Sequence, residues 1–183
     1  MKKIVAFVGS PRRKGNTSEL VNEVINGSKK EGAEIKIYYL NDMNIKGCQG
    51  CLYCRENGVC CIKDDMVEVY ADIKDADVVV IGSPVYIYQV SGQVKLLLDR
   101  FFPLTDKNHR PRFGDKKLVM LYTQAAPFNI FFRRYFRYLE KALKPMGLKK
   151  HLRLIATKCF EKDSVSENKK LKEKAFEIGR SLA

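Results

Sequence analysis

Tryptophan is missing from the 183 residues, and only two histidines, His109 and His151, are present. Neither has an acid–base partner close in sequence, so no imidazole catalyst is expected. Long apolar runs are missing too. Stretches such as Ile4–Val8 and Val78–Ile81 fall far short of the roughly 20 residues that a bilayer-crossing helix needs. The opening Met1-Lys2-Lys3 and the apolar residues after it imitate a secretion signal only as far as Ser10-Pro11-Arg12-Arg13-Lys14, so a cytoplasmic protein is expected. Two nucleotide loops are absent. Asn16 follows Gly15 where G-x-x-x-x-G-K-[ST] requires Lys, and G-x-G-x-x-G does not occur. Acidic residues are the scarcer charge, 21 against 34 Lys and Arg, for a net +13. The deficit lies in residues 101–183, with 20 basic and 8 acidic residues, whereas residues 1–100 carry 14 and 13. A basic half suits a nucleic acid or an acidic partner. No nucleic-acid module signature accompanies it, so a solvated lysine-rich surface is the expectation.

What is present reads as one globular domain over residues 1–183, with 45% hydrophobic and 30% charged residues. Short β-branched runs alternate with amphipathic ones. Strands are expected at residues 3–8, 34–40, 77–82, 116–123 and 148–158. Helices are expected from about Thr17 to Gly32, Asp64 to Lys74, Gly92 to Phe102, Phe128 to Lys144 and Ser164 to Leu182. Five strands alternating with five helices predict a three-layer α/β fold, a parallel sheet with helices on both faces. Such sheets bind ligands beyond the carboxyl ends of their strands, where the strand order reverses. In the flavodoxin-like order 2-1-3-4-5, that point lies between the first and third strands. It singles out the loops Gly9–Ser18 and Ser83–Ser91.

The first loop suits a phosphate. Ser10, Thr17 and Ser18 offer hydroxyls, Asn16 an amide and Arg12 a cation, beside the unpaired N–H groups of a helix start. The second, Gly82-Ser83-Pro84-Val85-Tyr86-Ile87-Tyr88, suits a flat ring: exposed N–H groups follow Pro84, and Tyr86 offers a face. Together they point to a phosphorylated flat cofactor, FMN more readily than a dinucleotide.

Gly-Ser-Pro-Arg…Gly-Asn-Thr-Ser after the first strand, and Gly-Ser-Pro-Val-Tyr…Val-Ser-Gly-Gln-Val-Lys…Leu-Asp-Arg over residues 82–100, resemble the NADPH-dependent FMN reductase family. The resemblance covers residues 1–102 and implies a flavodoxin-like fold, bound FMN, NAD(P)H as electron donor, and a homodimer or homotetramer. Carried over by position, Ser10, Arg12, Asn16, Thr17 and Ser18 would hold the phosphate. Pro84, Val85, Tyr86 and Ile87 would line the ring. Thr123-Gln124-Ala125-Ala126 matches loosely and places Gln124 near the ring.

Five of the six cysteines, Cys48, Cys51, Cys54, Cys60 and Cys61, fall within 14 residues in a loop at about 46–61. C-x2-C-x2-C can wrap one face of a cuboidal iron–sulfur cluster. Tetrahedral zinc, a redox pair and a purely structural loop compete with that reading. The compact C-x2-C-x2-C-x5-C run resembles the iron–sulfur flavoprotein branch of the family. That resemblance implies one 4Fe–4S cluster on Cys48, Cys51, Cys54 and Cys60, with Cys61 able to replace Cys60. Cys159 is expected as an ordinary buried thiol. Phe128, Phe132, Tyr135, Phe136 and Leu139 fall on one helical stripe, suited to a core or a subunit interface, and the interface is expected because so large an apolar stripe is a liability on a monomer.

The expected protein is therefore an FMN-dependent electron-transfer oxidoreductase passing electrons between FMN and a 4Fe–4S cluster, with no catalytic side chain required. Its alternatives are a clusterless NAD(P)H-dependent FMN or quinone reductase and, in another class, a zinc-stabilised basic binding module. An acidic redox partner such as ferredoxin fits the charge. The cysteine loop leaves an edge strand, so the cluster of one subunit is expected to serve the flavin of another.

Overall fold

The computed structural model describes residues 1–183. Five strands, β1 (Lys3–Val8), β2 (Glu34–Tyr39), β3 (Val78–Tyr86), β5 (Lys116–Thr123) and β6 (Leu148–Ala156), form a parallel sheet in the order β2-β1-β3-β5-β6. The short β4 (Gln89–Val90) pairs antiparallel with the end of β3. Counting only the parallel strands, this is the expected order. The central strands are apolar almost throughout because both faces are covered. Val78, Val80, Val119 and Leu121 pack towards α1 (Asn16–Lys30) and α6 (Lys169–Arg180). Val79, Ile81, Leu118, Met120 and Tyr122 pack on the other face, in one core with residues of α3 (Met66–Asp75), α4 (Gly92–Asp99) and α5 (Arg133–Ala142). Successive side chains of a strand point to opposite faces, so a run of valines feeds both cores.

The last helix begins at Lys169 rather than Ser164, and three further elements differ from expectation. The third strand continues past Gly82 to Tyr86 and turns back through Ile87 and Tyr88 into β4. Both turn residues have positive φ, 43° and 65°, the geometry of a tight hairpin turn normally given to Asn-Gly. A β-branched residue there is strained. The helix expected from Phe128 begins at Arg133 instead. Phe136 is buried and stacks on Tyr122 at 3.7 Å between centroids, while Phe128 and Phe131 remain exposed. The aromatic stripe is thus divided between core and surface. Finally, a short α2 (Tyr53–Asn57) lies inside the cysteine loop. It starts after left-handed Leu52 (φ 59°) and is closed by left-handed Gly58 (φ 71°).

α6 packs on α1 backbone to backbone. A Cβ on Gly179 would lie 1.9 Å from the Val24 carbonyl oxygen, and one on Gly27 would lie 2.0 Å from that of Phe176. The Ser28 hydroxyl donates to the Gly179 carbonyl at 2.9 Å. No helix is long and apolar enough to cross a membrane. Gly179→Ala is expected to destabilise the fold by about 1–3 kcal/mol through overpacking, read as a lowered urea midpoint. Gly92→Ala is the control. Nothing lies within 4 Å of a Cβ there, and the change is expected to be neutral or stabilising by up to about 1 kcal/mol.

Candidate functional site

A cleft of about 290 Å³ opens at the carboxyl ends of the central strands. Ser10, Arg12, Gly15, Asn16 and Thr17 form one wall, and Pro84, Val85 and Tyr86 another. The two loops selected from sequence therefore meet. They are fastened behind the cleft by the Gly9 amide donating to the Gly82 carbonyl (2.8 Å) and by the Ser91 hydroxyl donating to the Gly9 carbonyl (2.7 Å). Ser91 also caps α4, accepting from the Val94 amide.

α1 opens on Gly15, and no side chain caps its first turn. Its leading amides are left for an anion in the cleft, where the helix dipole favours negative charge. Arg12 is exposed at the rim. The Ser10 hydroxyl oxygen accepts from the Arg12 amide at 3.1 Å, holding the loop's bend. The Thr17 and Thr123 hydroxyls share a 2.7 Å hydrogen bond across the floor. Ser18 is buried and donates to the Arg12 carbonyl at 2.9 Å; it lies behind the cleft.

Asn16 has a double task. Its amide nitrogen donates to the Glu161 carbonyl (2.6 Å), and its oxygen accepts from the Val165 amide (2.9 Å). It thereby pins the segment after β6 against the first loop. That segment supplies a third wall, Cys159, Phe160 and Lys162, which the sequence reading did not anticipate. The available signal was position alone, just past the carboxyl end of a parallel strand. Ile87 stands 90% exposed in the hairpin turn, outside the cleft lining. Gln124 is buried and does not line the cleft. Its amide nitrogen donates to the Ala126 and Phe128 carbonyls, and its side-chain oxygen has no partner. It shapes the loop that brings Ala125 to the cleft.

All five clustered cysteines line a second, smaller cavity, together with Arg100, Phe102 and Pro103. The Sγ atoms of Cys51 and Cys61 are 3.5 Å apart. The Tyr53 amide and the Cys61 thiol lower the Cys51 thiol's pKa, and the hydrogen bond with Cys51 raises that of Cys61. Burial, followed by the neighbouring Cys60, raises that of Cys54. No three His, Cys, Asp or Glu side chains are gathered tightly enough to hold a single metal ion. Five thiols around one apolar cavity form a soft donor set, suited to a thiolate-ligated metal group.

Cys159 lines the first cleft and is half-buried. Burial pushes its thiol up to about 11, against a small opposing effect of the Gln124 backbone. It is therefore a neutral thiol at pH 7, and the thiolate is the reactive form. Alkylation of Cys159 by iodoacetamide, followed by peptide mass spectrometry, is expected to be slow at pH 7. The rate should rise about tenfold per pH unit above pH 7 and level off near pH 11.

Residues 2–130 match the family model described as NADPH-dependent FMN reductase. An iron–sulfur flavoprotein of Methanocaldococcus jannaschii is 44% identical over 102 residues, which cover 56% of this chain and 53% of that protein. An iron–sulfur flavoprotein of Archaeoglobus fulgidus is 33% identical over 114 residues, covering 62% and 50%. The chain thus spans about half the length of these curated relatives. Among solved structures, an NAD(P)H:quinone oxidoreductase from Methanothermobacter marburgensis superimposes with a TM-score of 0.79 at 18% identity, covering 99% of this chain and 96% of the other. That likeness shares the fold. With the match running from the first strand through both loops of the cleft and the cysteine segment between them, the chain belongs to the NADPH-dependent FMN reductase family.

Proposed function

We propose that the protein is an FMN-dependent oxidoreductase that holds FMN in the strand-end cleft and a 4Fe–4S cluster on Cys48, Cys51, Cys54 and Cys60. One observation carries the reading: a single short helix joins the two sites. α4 begins at Ser91, which is bonded to both loops of the cleft through Gly9 and Ser83, and ends at Arg100, which lines the cysteine cavity. Its eight residues, about 12 Å long, tie the walls of both sites to one rigid element of the chain.

FMN bound in the cleft would supply the link between two-electron hydride chemistry, with NAD(P)H as donor, and the one-electron chemistry of a cluster held by Cys48, Cys51, Cys54 and Cys60. The protein's own groups bind and orient. The uncapped start of α1, Ser10, Thr17, Arg12 and Lys162 face the phosphate end of the cleft. Asn16 closes the segment that carries Lys162, and Ser18 fixes the bend that carries Arg12. Pro84, Val85 and Tyr86 form the ring wall; Ile87 holds the hairpin behind Tyr86, and Gln124 holds Ala125. No side chain need exchange a proton.

Tyr86, Ile87, Tyr88, Phe128, Phe131 and Phe160 are exposed, an apolar surface that association would bury. The working unit is a homodimer or homotetramer in the cytoplasm, with a cluster of one subunit serving the flavin of another. The basic half suits an acidic redox partner such as ferredoxin. Sedimentation at micromolar concentration is expected to give at least twice the 21.0 kDa chain mass; a stable monomer would remove the oligomer.

Anaerobically purified protein is expected to release FMN on denaturation and to contain about four iron and four sulfide per chain. Cys51→Ala should lose the iron and keep FMN, whereas Cys159→Ala should keep both. Equal iron in wild type and Cys51→Ala would defeat the cluster. FMN without iron in the wild type would leave a clusterless flavin reductase.

A further inference from the structure

The two ends of the cysteine loop are tied at one guanidinium. Arg100 is 1% exposed. Its Nη1 donates to the Lys46 carbonyl at 2.7 Å and to Asp64 Oδ2 at 2.6 Å. Its Nη2 donates to Asp64 Oδ1 at 3.1 Å and to Cys60 Sγ at 3.4 Å. Asp64, wholly buried, also accepts from the amides of Lys46 and Met66. Residues 46 and 64 bracket all five clustered cysteines, so a single ion pair closes the neck of the loop.

A pair this dry contributes little net stability, because desolvation cancels much of its attraction. Its geometry does something else. The carboxylate holds one side of the guanidinium, and the other side faces sulfur. The planar fork makes this possible, where a lysine would present one mobile point charge. Cys60 is partly buried and receives that donor. Cys61 is exposed and touches only Cys51 among its polar neighbours.

We propose that Arg100 is a positioning residue of the cysteine centre, fixing Cys60 rather than Cys61 as the fourth thiolate and raising the centre's reduction potential through its N–H···S hydrogen bond. The inference rests on the cluster reading given above. A cluster held by four thiolates is anionic, and one-electron reduction adds negative charge without breaking a bond. A buried donor on a ligating sulfur therefore favours the reduced form. Asp64 works in the opposite sense by partly neutralising the guanidinium. Removing either end of the pair thus has opposite consequences, which a purely structural brace would not produce.

The test is a spectroelectrochemical titration of anaerobically purified protein with dithionite as reductant, with iron, sulfide and FMN measured for every variant. Arg100→Gln is expected to lower the reduction equilibrium constant about tenfold, equivalent to about 59 mV for one electron. Asp64→Asn is expected to move the potential upward. Cys61→Ala should keep wild-type iron and potential, and Cys60→Ala should lose iron. An unchanged potential in iron-replete Arg100→Gln, shifts of the same sign in Arg100→Gln and Asp64→Asn, or retention of iron in Cys60→Ala with its loss in Cys61→Ala would each overturn the proposal. If Arg100→Gln fails to keep FMN and so fails to fold, Arg100→Lys decides. It keeps the charge without the fork, and its potential must still fall. Wild-type protein without iron overturns the cluster reading and this inference with it, a failure recognised before any substitution is made.

Discussion

The cleft depends on how closely the valines of α4 and α1 seat against the bare backbone at Gly9 and Gly82. A Cβ on Gly9 would stand 2.1 Å from Val94 Cγ2, and one on Gly82 would stand 2.4 Å from Val21 Cγ2. Neither position tolerates a side chain. α4 can therefore settle on the end of β1, and α1 on the end of β3. That mutual seating aligns the first-loop amides with the hairpin carrying Tyr86, and sends α4 away from the cleft towards the cysteines. The hydrogen bonds at Ser91 and Gly9 are consequences of this fit. Enlarging Gly82 would also crowd Thr17 of the cleft wall, whose Cγ2 would lie 3.2 Å from the new Cβ.

Polar groups taken out of water are handled differently in different parts of the molecule. Lys116 satisfies its ammonium with the carbonyls of Lys74 and Ala76, and burial lowers its pKa. Glu140 is paired with Arg153 beneath α5. These groups join elements whose relative place is also set by apolar packing. The Arg100–Asp64 pair joins a loop that has almost no buried apolar residues of its own. Burial would raise the Asp64 carboxyl, but the Arg100 guanidinium and two backbone amides overcome it and hold its pKa below the usual range. A carboxylate so depressed supports the fold above its unfolded pKa of about 3.9 and loses that effect as the pH falls. The neck of the loop is accordingly the acid-sensitive part of the cysteine site.

Much of this was legible in the chain. The β-branched runs Ile4–Val8 and Val78–Ile81 could only be strands covered on both sides, and the parallel order followed from the helices between them. The two loops at the switch point were legible because their residues carry hydroxyls, glycine and proline at set places. The hairpin after Tyr86 was not, because Ile87-Tyr88 contains no glycine or asparagine to announce left-handed backbone. Helical periodicity placed Phe128–Phe132 in α5, but tertiary contacts decided otherwise. Gln124 draws the carbonyls of Ala126 and Phe128 onto its amide, holding that stretch out of the helix. The third wall at Cys159–Lys162 depends on Asn16, whose partners lie more than 140 residues away. No local pattern encodes such a contact.

The backbone contact between α1 and α6 also bears on when the protein becomes able to bind anything. Ser28 and Gly179 are separated by 151 positions, so the helix behind the first wall of the cleft has no backing until residue 179 has left the ribosome. Chains synthesise at roughly 5–20 residues per second, which leaves the first loop and the cysteine segment displayed for many seconds before the last helix arrives. Contacts this remote also slow folding, because their closure entropy precedes any reward. During that interval the thiols are accessible and the cleft is incomplete. The first loop therefore gains its backing only when α6 docks, and the cleft is complete no earlier than that.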